Sequence, residues 1–509
     1  MPELATILAG LGDALTLANL LYVIAGVAVG QFVGAVPGIG PVMAMAIAVP
    51  FTFVMNPLAA IAFLVGVNKG GLFGGAIPAV LINTPGTPDA AATALDGHPL
   101  ARQGKPLKAL KMALYASVTG DTASDIVLIT VSAPLAAVAL LMGPVEIVSL
   151  IVFAFSVIAG LVGQSMVKGL IAAALGLLCA TVGLDPEHGT PRLIFGQFAL
   201  YDGLPLAPVA IGMLAVAEIL RRLAGMRGAR QPAVAIDGSA DPADRRVSWA
   251  EYWGCRHAML RGAAIGTVLG AIPGIGSTAA AFLSYASARQ AARDPSTFGK
   301  GDIRGIAATE SANSAVVGAN LIPLLTLGIP GSIGAALIIS AFMIQGIQPG
   351  PLLFEQQGRL IYGLFGAMLM ANLVNFLMGQ LGLRFWARVV AAPASVVFAS
   401  ALLLCTVGVY LSTGDLLGVY IMLIFAGLGY AMTALGYSVV VFIIAFFLGP
   451  RFERSLSQAL TIVDGNAADL LRHPLALALL LLSVVAAYWM GKRRPRTGQS
   501  VEKAKPGPV

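Results

Sequence analysis

Charge is scarce in this 509-residue chain. Asp, Glu, Lys and Arg together make up 11% of it, against about 25% in an ordinary soluble domain. From residue 14 to residue 68 there is no Asp, Glu, Lys, Arg or His at all. With 58% hydrophobic residues and a mean hydropathy of +0.86, this scarcity excludes a soluble enzyme, a nucleic-acid-binding domain and a disordered chain. The net charge of +7 carries no nucleic-acid signal, because the basic residues sit in a few loops. No Lys or Arg precedes Lys69. The basic start of a cleavable signal peptide is missing, and the first apolar stretch is expected to stay in the mature protein. The three cysteines, Cys179, Cys255 and Cys405, form no CxxC pair, so neither a disulfide framework nor a metal site is indicated. The four histidines form no HExxH, and there is no Walker lysine loop. An isolated SxxK at Ser165 and Lys168 reads as chance. A membrane enzyme would need a nucleophile, base or metal cluster. None is visible, so the chain is read as a non-enzyme without a cofactor.

What is present is a series of long apolar runs. A bilayer core takes about 20 apolar residues per helix. Runs free of charge such as 14–68, 126–145, 147–167, 311–354, 360–383, 389–414 and 416–450 predict roughly 10 to 13 membrane helices and re-entrant pieces. Nothing alternates as a barrel would, so the expected fold is an all-α polytopic membrane protein embedded in the lipid bilayer. Residues 221–261 are the long polar stretch within the chain, with eight Arg against four acids. By the positive-inside rule this linker is cytoplasmic, as is the basic tail 492–509. The acidic segment 184–202 suits the other side. The expected organisation is a first membrane repeat (1–220), the linker (221–261), a second repeat (262–450), a C-terminal loop with a last membrane helix (451–491), and the tail.

The two halves share motifs. Gly30-Gln-Phe-Val-Gly-Ala-Val-Pro-Gly-Ile-Gly40 and Gly266-Thr-Val-Leu-Gly-Ala-Ile-Pro-Gly-Ile-Gly276 agree at seven of eleven positions. Pro78 and Pro85-Gly86 align with Pro323 and Pro330-Gly331, and Asn68 with Asn313. The offset grows from 236 to 245, so the second half has nine extra residues between its motifs. Equivalent loops differ in basicity. Arg102–Lys111 is basic and Gln348–Arg359 is not, whereas Arg289–Arg304 is basic and Phe51–Ala59 has no charge. Loops that face opposite sides behave this way, which points to an inverted repeat. Secondary transporters use that architecture, with discontinuous helices meeting at a midplane site.

Proline removes a backbone donor and glycine tolerates unwound geometry. In a membrane such breaks survive where the backbone is buried or lines a polar cavity. The breaks at Pro37, Gly38 and Gly40 and at Gly274, Gly276 and Ser277 are therefore candidate substrate-binding elements, their free N–H groups facing an anion. The competing account is packing, since Gly30/Gly34 and Gly266/Gly270 have GxxxG spacing. The second pair of breaks, Asn83, Thr84, Gly86 and Thr87 in one half and Gly331 and Ser332 in the other, could be hairpin tips that offer N–H groups and hydroxyls to a carboxylate; an ordinary surface turn competes. Asn68, Ser311, Asn313 and Ser314 are candidate oxygen ligands for sodium, with interhelical hydrogen bonding as the rival. Lys69, Asp89, Asp121, Asp125 and Glu310 are ionisable groups near or inside apolar stretches, and such groups are functional suspects. Asp121 and Asp125 would share a helix face, with Lys69 as a partner for one of them.

Several runs resemble the large membrane subunit of tripartite tricarboxylate transporters, the TctA family: Gly34-Ala-Val-Pro-Gly-Ile-Gly-Pro41, the stretch from Leu81-Ile-Asn-Thr-Pro-Gly-Thr-Pro-Asp89 through Asp96-Gly-His-Pro-Leu100, Thr181–Arg192, Pro208–Gly212, Ile322–Ser332 and Gln345–Pro351. The resemblance spans about residues 20 to 470. It implies a bacterial inner-membrane permease that works with a small membrane subunit of about four helices and a periplasmic solute-binding protein. It also implies uptake of an organic carboxylate (a tricarboxylate, a dicarboxylate or an aromatic acid), driven by an ion gradient, commonly Na+. The chain departs from the commonest members at Val67–Gly75, where they often carry a YYGxxYGG-like run, and in having Lys69 with Asp121 and Asp125. The reading is sodium symport with alternating access; proton coupling through Asp121 or Asp125 is the alternative. If the repeat is inverted, single cysteines placed in Arg102–Lys111 and Arg289–Arg304 react from the cytoplasm, and those in Phe51–Ala59 and Gln348–Arg359 react from outside. Labelling of all four loops from one side would overturn the inversion.

Overall fold

A series of five helices occurs twice, and in each series the third helix is enclosed by protein. The structure, a computed structural model, describes residues 3–37, 40–162, 165–225, 241–390, 394–464 and 467–492. The first series is α1 (Leu17–Gly34), α2 (Pro41–Ala48), α3 (Pro57–Ile82), α4 (Ala90–Arg102) and α5 (Pro106–Ala139). The second is α6 (Arg256–Gly270), α7 (Gly276–Gln290), α8 (Ile303–Leu327), α9 (Ile333–Ile344) and α10 (Gly358–Val389). Six helices are long and apolar enough to cross a membrane, and six shorter apolar helices accompany them among the described residues. The strands present there are Gly183–Leu184 and Pro191–Arg192, a two-residue antiparallel ladder. The protein is thus an all-α polytopic membrane protein, as the composition predicts.

Local chemistry sets the ends of the two enclosed helices. α3 starts at Asn56, whose side chain accepts from Ala59 N at 2.9 Å, with Pro57 in the first turn; this is an N-cap followed by a proline that has no donor to lose. α8 starts at Asp302, which accepts from Arg304 N. Both helices then run through a proline, Pro78 and Pro323. Both stop in a left-handed residue, Asn83 at φ 50° and Gly328 at φ 67°. Thr84 N–H donates to Pro78 O at 3.3 Å and Ile329 N–H to Pro323 O at 3.2 Å, so each helix end closes on the carbonyl of its internal proline. The 245-residue offset read from the sequence therefore joins positions with the same hydrogen bonds.

Glycine lets α1 lie against α3 at backbone distance. A Cβ at Gly30 would come within 2.3 Å of Val67 O, and one at Gly34 within 2.4 Å of Gly71 O. α6 meets α8 similarly, with a Cβ at Gly266 falling 2.2 Å from Ala312 O. The GxxxG spacing in both halves therefore serves helix packing, as small residues do in membranes.

Contacts divide the chain into two compact units. One comprises residues 1–142 and 204–430 and contains both five-helix series. The other comprises 143–203 and 431–509. In the second unit, helices Pro144–Val162, Met166–Ala180, Val439–Val463 and Pro474–Lys492 pack together. Arg192 holds Glu453 through both guanidinium nitrogens, at 2.5 and 3.1 Å, and His473 Nδ1 lies 2.6 Å from Glu146 Oε1.

In the first unit the loops meet in two groups. Lys105 pairs with Asp244 at 3.0 Å and Lys108 with Glu251 at 2.7 Å, which joins the loop before α5 to the end of the linker. Burial alone raises the Glu251 carboxyl, yet Lys108 and the Ser248 cap hold it below its ordinary value. Gln103 Nε2 donates to Lys300 O at 2.7 Å. Next to that contact Asp96 of α4 grips the loop before α8. Its Oδ1 accepts from the N–H groups of Gly299, Gly301 and Asp302 at 2.8, 2.9 and 2.9 Å, and its Oδ2 accepts from Tyr285 Oη at 2.9 Å. The second group joins the loop after α2 to the end of α9, where Gln345 Nε2 donates to Thr52 O and Met55 O at 2.8 and 3.0 Å. Replacing Asp96 by Ala strands three N–H groups and a phenol. The expected cost is about 3 kcal/mol or more, read as a lower unfolding midpoint in detergent; an unchanged midpoint would show that the grip adds nothing.

Candidate functional site

Each second break folds into the start of a new helix. In the first half Thr87 Oγ1 accepts from Ala90 N at 3.3 Å; in the second, Ser332 Oγ accepts from Ala335 N at 3.2 Å. The two hydroxyls are 245 residues apart and cap α4 and α9 in the same manner. Within each half the first break touches the second. Gly274 N–H donates to Gly331 O at 3.0 Å, and a Cβ at Gly40 would sit 3.1 Å from Thr87 Cγ2.

Each second break also faces the other half. The Asp89 carboxylate, 3% exposed, looks onto the hydroxyls of Thr87 and Ser277 and the amide of Asn313. Those neighbours lie near enough to favour the ionised carboxyl, yet Asp89 Oδ2 and both polar atoms of Asn313 have no hydrogen-bond partner of full geometry. At the equivalent place in the second half, a Cβ at Gly334 would lie 3.3 Å from Asn68 Nδ2 and 3.7 Å from Met45 Sδ. The two chambers share their layout and differ in charge. Asp89 opens α4 with a carboxylate, whereas Gly334 stands at its counterpart.

Behind the first chamber lies a set of buried ionisable groups. Lys69 of α3 donates to Asp125 Oδ2 at 2.7 Å, Asp121 Oδ1 at 3.3 Å and Asn372 Oδ1 of α10 at 2.7 Å. Its three N–H bonds are thereby used on three acceptors. Asn372 Nδ2 donates in turn to Asp125 Oδ2 at 2.8 Å. Glu310 of α8 accepts from Thr93 Oγ1 and from Ser117 Oγ, the latter at 2.9 Å. Asp89 and Asp121 both lie near enough to act on Glu310 through their charge. Of the four enclosed acids, Asp121 and Asp125 hold the Lys69 ammonium, in a region where an uncompensated charge is costly.

Residues 20–444 match the tripartite tricarboxylate transporter TctA family. The chain belongs to this family. TctA proteins are transporter subunits and not enzymes, and the family functions with a small membrane subunit and a periplasmic binding protein. One relative, an uncharacterized 52.8 kDa protein in the TAR-I ttuC' 3' region of Agrobacterium vitis, is 34% identical over 507 residues, 97% of this chain and 98% of its own. A second, an uncharacterized protein in the TAR-II ttuC' 3' region of the same organism, is 34% identical over 220 residues, 43% of this chain and 91% of its own. No solved structure matches.

Against this TctA architecture, the residues nominated from sequence fall into distinct places. Pro37 and Gly40 flank the first break and are half-buried; Gly38 lies outside the described residues. Gly276 is left-handed at φ 73° and opens α7, with Ser277 facing Asp89. Asn83 and Thr84 are exposed, and Asn83 lines a cavity of about 310 Å3 with Pro85, Leu95 and His98. Gly86 and Gly331 are fixed by packing. A Cβ at Gly86 would meet Gly34 O at 2.9 Å, and one at Gly331 would meet Asn320 Oδ1 at 2.8 Å. Bulk at either glycine strikes the protein itself. Of the nominated ion ligands, Asn313 stands in the Asp89 chamber and Asn68 beside Gly334. Ser311 donates to Met259 O at 2.7 Å and Ser314 to Ser117 Oγ at 3.0 Å, which is interhelical bonding. Sequence reasoning missed Asn372 and Thr93. Asn372 interrupts the charge-free run 360–383 and was legible as a polar group in an apolar stretch.

Replacing Lys69 by Met leaves Asp121 and Asp125 enclosed without their cation. Breaking a buried pair this way costs about 3–5 kcal/mol. Detergent unfolding should show that loss, and adding Asp121→Asn with Asp125→Asn should recover most of it. Wild-type stability in Lys69→Met alone would mean that the ammonium does not hold the cluster.

Proposed function

We propose that this chain is the permease subunit of a binding-protein-dependent importer for an organic carboxylate, coupled to sodium and working by alternating access. The observation that supports it best is the pairing of helix breaks into two chambers of like layout and unlike charge. A helix N-terminus attracts anions. At α4 that end already carries the chain's own Asp89, so an incoming carboxylate is repelled there. At α9 no acid intervenes, and Ser332 with the Gly274–Gly331 contact forms the end that suits a substrate carboxylate. The grouping of loops supports an inverted repeat. The basic loops 102–111 and 299–304 come together, as do the uncharged loop after α2 and the segment that follows α9. The partners are a small membrane subunit and a periplasmic solute-binding protein, and the location is the bacterial inner membrane with a cytoplasmic linker and tail.

Proton coupling is the second reading, and one observation favours it. A single ammonium, Lys69, faces two carboxylates, Asp121 and Asp125, so that cluster holds one more negative charge than positive unless one acid is protonated. The two readings separate in uptake measurements on cells that carry the whole system, with citrate, a dicarboxylate and an aromatic acid as probes. Uptake is expected to collapse without sodium and to persist when the proton gradient is dissipated at constant sodium gradient. Uptake that follows the pH gradient in sodium-free buffer would replace sodium by protons.

A further inference from the structure

Resting on the sodium-coupled reading, we propose that Asp89, Thr87, Ser277 and Asn313 form the site of the coupling cation, at the place where the second break of one half meets the first break of the other. Hard cations take oxygen ligands, and this chamber brings a carboxylate, two hydroxyls and a side-chain amide together. Its single carboxylate matches a monovalent ion. No group of three His, Cys, Asp or Glu able to hold a metal occurs among the described residues, which argues against a divalent one.

Three observations show that the chamber faces a ligand instead of serving the fold. First, Asp89 does not cap α4. It makes no capping hydrogen bond from its side chain, and Thr87 accepts from Ala90 N in its place. Second, Asp89 makes no ion pair among the described residues, and the three N–H bonds of Lys69 are spent on Asp121, Asp125 and Asn372. Third, Asn313 is 1% exposed, yet neither its oxygen nor its nitrogen has a partner, and Asp89 Oδ2 is in the same condition. Enclosed polar atoms are almost always paired, so three orphaned atoms on two neighbouring side chains mark a place where something polar binds. A second acid, Glu310, stands near Asp89.

The duplication sharpens the assignment. At the offsets that align the halves, Gly334 takes the place of Asp89, Pro41 that of Ser277, Ser332 that of Thr87 and Asn68 that of Asn313. The carboxylate and one hydroxyl are absent from the second chamber. Only the first is built for a cation.

The test is binding of 22Na+ to the purified full-length chain, in detergent, by scintillation proximity with unlabelled sodium as competitor. The wild type should bind saturably. Asp89→Asn should weaken sodium at least tenfold and Asn313→Ala several-fold, at an unchanged elution position on size exclusion. If Asp89→Asn does not survive purification, Ser277→Ala carries the test, with a several-fold loss expected. Saturable wild-type binding with these variants binding equally well overturns the site and leaves sodium coupling standing. Absence of saturable binding in the wild type overturns the sodium reading and this site with it.

Discussion

Every backbone N–H and C=O placed in an apolar medium has to find its partner within the protein. That constraint shapes the first unit. Four breaks interrupt its helices, and each exposes donors and acceptors that an intact helix would have used. The chain answers with itself: left-handed closures at Asn83 and Gly328, hydroxyl caps at Thr87 and Ser332, and direct contact between the breaks, as in the bond from Gly274 to Gly331. The breaks are kept deep by the enclosure of α3 and α8, and that enclosure depends on glycines thin enough for α1 and α6 to approach at backbone distance. Packing and exposed polarity are therefore joint products of one composition, rich in Gly and Pro where other helical proteins carry Ala and Leu.

Charge follows the opposite economy. It is nearly absent from the apolar runs, and where it occurs it is concentrated. Lys69 is surrounded by acceptors from both halves, and its neighbours Asp121 and Asp125 stand on one helix face four residues apart. A lysine enclosed in this way acts as a permanent internal counterion. It neutralises part of the acidic cluster and leaves Asp89, further along, without one.

The breaks could be read in the sequence because Pro-Gly pairs in apolar runs have few other uses, and their recurrence supplied the register that the hydrogen bonds of Pro78 and Pro323 share. The all-α membrane class was legible for a similar reason, since length and apolarity are local properties. The meeting of breaks across halves was not legible. It depends on contacts between residues some two hundred positions apart, such as Asp89 with Asn313, and no periodicity encodes those. The serines at 311 and 314 illustrate the limit from the other side. Their composition suits an ion and a helix interface equally, and only the positions of Met259 and Ser117 show that their hydroxyls are engaged between helices. Asp89 was visible as a charge near an apolar run, but its isolation from any cation became apparent only once Lys69 was seen to be occupied elsewhere.

The nine residues by which the second half exceeds the first fall between its two motifs, the interval that includes the loop whose N–H groups surround Asp96. Extra length in the second half thus contributes to a lock between the halves. Such a joint does not slide. A rearrangement that opens the interior at this end either carries α4 and the 299–302 loop together as one body or releases four hydrogen bonds in a single step. The two edges of the duplicated fold are therefore held unequally, by four hydrogen bonds to Asp96 at one and by the two bonds of Gln345 at the other.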